Sequence, residues 1–95
     1  MVVGIAEIEL WIPHNNSLKG KRRVVNKVLE RARSRFNITV AEVGKQDIHS
    51  RAVLGFAIAG SDQRYVNGAL DKLLDFVAGL SVAEIVSERI EIMQF

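Results

Sequence analysis

Cysteine is absent from the 95 residues. That excludes disulfides, thiolate metal sites, iron–sulfur clusters and cysteine nucleophiles. Histidine occurs twice, at 14 and 49. Two are too few for a His-rich zinc site, so no metal and no cofactor is expected. Proline occurs once, at Pro13, and low-complexity or linker segments are missing. No window reaches the ~18–20 uninterrupted apolar residues of a membrane span, so no membrane association is expected. The N-terminal MVVGIAEIEL has no positive start, and Glu7 and Glu9 interrupt its apolar run. It reads as a strand and not as a signal peptide, and the chain is expected to be cytoplasmic.

What is present is ordinary globular composition, 48% hydrophobic and 25% charged. The length suits one domain, residues 1–95, with one two-layer core. Net charge is +2, but its distribution is uneven. Residues 19–35 hold eight of the thirteen Lys and Arg and a single acid, Glu30, giving +7 there and −5 elsewhere.

Residues 2–12 alternate, with Ala6, Ile8, Leu10 and Ile12 on one face and Ile5, Glu7, Glu9 and Trp11 on the other. Period two predicts a half-buried strand, ended by Pro13. Ser17 is a good N-cap for a helix whose core face holds Val24, Val25, Val28, Leu29, Ala32 and Phe36. Asn37 suits a left-handed helix stop. Ile38–Val43 predicts a β-branched strand, and Arg51–Ala59 a third strand with Leu54, Phe56 and Ile58 turned to the helices. Ser61 or Asp62 caps a second helix running to about Gly79. Val82–Phe95 alternates again, with Val86, Ile90 and Ile92 inward. The order β-α-β-β-α-β predicts an α+β ferredoxin-like fold: a four-stranded antiparallel sheet, order 4-1-3-2, with both helices on one face.

Three surfaces can carry chemistry. On the first helix, Lys19, Arg23, Lys27, Arg31 and Arg35 recur at i+4, and Lys21 and Arg22 join Lys19 and Arg23 in the first turn. Cations there oppose the helix macrodipole, which a bound anion relieves. These seven residues are the candidate anion or nucleic-acid contacts, with RNA or a ribosomal particle as partner. The competing reading is a solvated charged face. On the uncovered sheet face, Ile5, Trp11, Val53, Ala57 and Met93 are expected to form an apolar patch for a homodimer or another protein. Base stacking there is not expected, because the central strands offer Glu7 and Glu9 and no aromatic pair. In the Gly44–His49 loop, Asp47 and His49 with nearby Glu42 are the weakest candidate, for acid–base catalysis. A non-enzymatic protein is the expectation. A small-molecule regulatory domain of the ACT kind stays open, since such domains leave little motif.

Ser17-Leu18-Lys19, Lys21-Arg22, Arg35-Phe36-Asn37, Val40-Ala41-Glu42-Val43-Gly44, Gln46-Asp47, Arg51-Ala52-Val53-Leu54-Gly55 and Leu70–Phe76 together resemble the bacterial YlxP-like family of unknown function. The resemblance spans essentially the whole chain. It implies a ferredoxin-like fold and a cytoplasmic bacterial protein. Genes of the family often neighbour those of transcription and translation factors, which implies association with RNA or the ribosome. It supplies no catalytic residues. This chain departs from the family pattern at Gly20, where an acid is common, and at His49, where an aromatic or Leu is common.

Overall fold

In β1, Val2–Trp11, every second side chain is buried, from Val2 through Ala6, Ile8 and Leu10. This strict alternation sets one face of the strand against the core. The computed structural model describes residues 1–95. After β1 come α1 (Leu18–Arg35), β2 (Thr39–Gly44), β3 (Arg51–Gly60), α2 (Gln63–Gly79) and β4 (Glu84–Gln94). The strands form one antiparallel sheet in the order β2-β3-β1-β4, which is the expected 4-1-3-2 read from the other edge. The architecture is ferredoxin-like α+β. Neither helix is long and apolar enough to cross a membrane.

Both helices begin where side-chain oxygens take up free amides. Ser17 Oγ accepts from the Gly20 amide at 3.0 Å, and Asp62 Oδ1 accepts from Arg64 at 2.7 Å. Each such cap contributes about 1 kcal/mol. The helices bury Val25, Val28, Leu29 and Ala32 from α1, and Val66, Leu70, Leu73, Leu74 and Val77 from α2, against the inner sheet face. Gly4 lets α2 approach β1 closely: a Cβ there collides with Val66 and lies 2.8 Å from Leu70 Cδ1.

Two expectations are corrected. Asn37 is not a left-handed stop. Helix α1 ends at Phe36, which is extended (φ −126°) and meets Phe76 edge-on at 5.5 Å between ring centroids. The chain leaves helical geometry at Phe36, whose ring packs against the core, so it is already extended before Asn37; left-handed backbone occurs instead at His14, Lys45 and Ser81. Nor does Val86 point inward. A register shift against Glu9/Leu10 pairs Leu10 with Ile85, so Ile85 takes the inner position and Val86 is exposed. An extra residue in one strand is the usual cause of such a reversal of faces.

Candidate nucleic-acid interface and the open sheet face

Helix α1 buries one stripe and leaves a cationic one in solvent. Lys19, Arg22, Arg23, Lys27 and Arg31 are exposed, and none makes an ion pair or side-chain hydrogen bond within the chain. From Lys19 to Arg31 the helix rises about 18 Å. No acid stands in the first turn. Arg35 is exposed too, but its guanidinium carbon lies 5.2 Å from the Phe76 ring centroid, a cation–π contact.

Lys21 departs from the expected set. It is 2% exposed, and its Nζ lies 2.9 Å from Glu42 Oε2, 2.6 Å from the Lys45 carbonyl and 3.2 Å from the Gln46 carbonyl. All three partners belong to β2 and the turn after it. Lys21 is thus a clamp between α1 and the β2 end and is not available to an external anion. The Glu42 contact is an ion pair of poor hydrogen-bond alignment, and the Glu42 Oε2 atom has no hydrogen-bonding partner. Two signals were present in the sequence. Lys21 sits four residues before Val25 and seven before Val28, on the buried stripe; Glu42 shares the inner face of β2 with Val40.

Gly20 also has a steric reason. A Cβ there runs into Asn15 Oδ1 and lies 3.1 Å from Ser17 Oγ. Asn15 folds over the helix start, its Nδ2 donating to the Ser17 carbonyl at 2.9 Å and to the His49 carbonyl at 2.5 Å. His49 Nδ1 lies 3.1 Å from the Asn15 carbonyl oxygen. The two loops are therefore tied to each other. Glu42, Asp47 and His49 share no hydrogen bond or ion pair, and Glu42 is turned to the helix side. The acid–base constellation considered for this loop does not assemble. No group of three or more His, Asp or Glu gathers closely enough to hold a metal ion.

On the open sheet face Ile5, Trp11, Val53, Ala57 and Met93 all point away from the helices, but they do not form one patch. Ile5 pairs across with Ala57, and Met93 pairs with Val3 one row away. Trp11 lies six residues along β1 from Ile5, about 20 Å. Glu7 and Glu9 stand between them, and Glu9 binds Lys45 Nζ at 3.0 Å and Arg51 Nη1 at 3.5 Å. Beside Ile5 the face dips into a trough of about 290 Å³, with Ala41, Val43, Gly55 and Ala57 on its β2–β3 side and Arg89 and Glu91 at its β4 rim. Ala41 and Val43 were not anticipated. Their alternation in a six-residue strand is too short to assign a face.

The sequence profile of a family described as "Protein of unknown function (DUF503)" matches residues 3–90. The "Uncharacterized protein YlxP" of Bacillus subtilis (strain 168) is 32% identical over 90 residues, which are 95% of this chain and 98% of that protein. Two solved structures share the fold. Protein YJCS from structural genomics has a TM-score of 0.52 at 11% identity, covering 94% of this chain and 96% of its own. A variant of SnoaB, a cofactor-independent oxygenase from Streptomyces nogalater, has 0.51 at 9% identity, covering 99% and 92%. At such identities the likeness extends to the fold alone. The chain belongs to the DUF503 family.

Proposed function

We propose that this member of the DUF503 family is a non-enzymatic RNA-binding protein that holds single-stranded RNA, free or on a ribosomal particle, along α1. One observation carries the reading: five exposed cations on one helix have no partner within the chain. A charged face kept only for solubility gains nothing from concentrating cations where they oppose the helix dipole, at about 0.3–1 kcal/mol each. The row Lys19, Arg23, Lys27 and Arg31 can neutralise about four phosphates, so log K falls with log salt at a slope of about −3. Fluorescence anisotropy with a labelled RNA oligonucleotide tests this. Changing Arg23, Lys27 and Arg31 to Glu abolishes binding while the thermal midpoint barely moves. Absence of binding by the natural chain at low salt would sink the reading.

A second reading rests on the open face. The apolar trough beside Ile5 and Ala57 favours a protein partner over nucleic acid on that side, and a homodimer or scaffold contact is the natural form. The two surfaces lie on opposite sides of the sheet, so both readings can hold. Loss of self-association on Ile5→Lys supports the second, and indifference to that change removes it.

A further inference from the structure

The two edges of the sheet are not equally finished. Met1 and Phe95 exchange main-chain hydrogen bonds in both directions, at 3.1 and 2.7 Å. In an antiparallel ladder such pairs alternate, so Met93, Glu91 and Arg89 turn their amides and carbonyls toward β1. Glu88, Ile90 and Ile92 therefore turn theirs outward. Carrying the alternation across the sheet, β2 turns Val40 and Glu42 outward. There both carbonyls are occupied: Arg33 Nη2 donates to Val40 at 3.3 Å and Gln46 Nε2 to Glu42 at 3.5 Å. Edge β2 is six residues long and bears a register shift. Edge β4 is eleven residues long, carries neither Lys nor Pro, and none of its side chains or neighbours covers the outward groups of Glu88, Ile90 and Ile92. Short length, irregularity and covered carbonyls are what block strand addition; β2 has all three, whereas β4 is irregular only at its Ile85–Ser87 end and has neither of the others over Glu88–Ile92.

We infer that β4 pairs antiparallel with β4 of a second copy, joining two sheets into one of eight strands. The charges select the register. Centring the twofold axis on Ile90 sets Arg89 of each copy beside Glu91 of the other, twice by symmetry, and sets Ile90 on Ile90 on the helix side. Moving the axis by one residue toward the N-terminus sets Arg89 on Arg89, and toward the C-terminus Glu91 on Glu91. Both place like charges directly opposite. The Ile90 register lets Glu88, Ile90 and Ile92 form about six main-chain hydrogen bonds with their counterparts. Ile90, which β1 and α2 leave exposed, is then covered. This pairing is independent of RNA binding; Arg89 and Glu91 also rim the open-face trough, so rescue by mixed variants and the outward Ile90 main chain are what separate it from a dimer through the trough.

Sedimentation velocity across a micromolar to sub-millimolar range tests it. The natural chain dimerises. Glu91→Arg weakens the dimer at least about tenfold, since Arg89 of each copy then faces a second arginine across the seam. Arg89→Glu does the same with two acids. Mixing the two single variants restores a dimer, because every Arg then meets a Glu; a dimer that depends on another surface does not show this rescue. Ile90→Pro, which removes an outward amide and leaves the β1 ladder intact, also gives a monomer. A natural chain that stays monomeric throughout, a dimer indifferent to Glu91→Arg, or mixed variants that fail to pair overturns the inference.

Discussion

Replacing Lys21 with methionine keeps most of the side-chain volume and removes the ammonium. Its Nζ then no longer serves Glu42 Oε2, the Lys45 carbonyl and the Gln46 carbonyl, now at 2.9, 2.6 and 3.2 Å. Breaking a buried ion pair by deleting one partner costs about 3–5 kcal/mol, because the other charge stays behind unpaired. Glu42 keeps a fifth of its surface exposed, and the two carbonyls belong to exposed turn residues, so the lower end, about 3 kcal/mol, applies. For a domain of this size that lowers the thermal midpoint by about 12–24 °C. Urea denaturation measures it directly. Lys21→Met/Glu42→Leu removes both charges and recovers most of the loss. The same variants separate the structural role of Lys21 from the RNA row: where Lys21→Met is folded, the salt slope of RNA binding is unchanged. A loss below about 1 kcal/mol, or a slope smaller by about 0.7, refutes the clamp.

Gly20→Ala gains up to about 1 kcal/mol of helix propensity but drives a methyl into Asn15 Oδ1, for a net loss of about 1–2 kcal/mol by denaturant midpoint. Gly4→Ala costs about 1–3 kcal/mol by pushing Val66 and Leu70 off β1, and Gly68→Ala, with open space around it, does not destabilise. Arg33→Ala uncovers the Val40 carbonyl on β2; added self-association in sedimentation is the expected result, with little change in RNA affinity.

The fold was legible because its elements carry one period each. The inner positions of β1 and β3 and the apolar stripes of both helices could be read residue by residue. The failures have local causes. Val86 reads as inward only if β4 is regular, and a register shift is invisible to a period-two count. Lys21 reads as surface because of its charge, although its place on the buried stripe requires a partner, and that partner lies 21 residues away on another element. The apolar residues of the open face fall on the expected side; the six-residue separation of Trp11 from Ile5 along β1 was already legible, whereas which β3 and β4 residues flank each of them is set by strand register, a property of pairs of strands. That β4 is an edge strand follows from the strand order read in the sequence, but which of its main-chain groups face outward and unpaired is known only from the ladder.

The central claim is that α1 is a polyanion-binding helix. Its most direct test is RNA affinity measured over a series of salt concentrations, for the natural chain and for Arg23→Glu/Lys27→Glu/Arg31→Glu side by side. Binding at low salt with a slope of about −3, abolished in the triple variant at an unchanged thermal midpoint, is the expected result. Binding that persists in the triple variant, or a natural chain that binds no RNA at low salt, contradicts it.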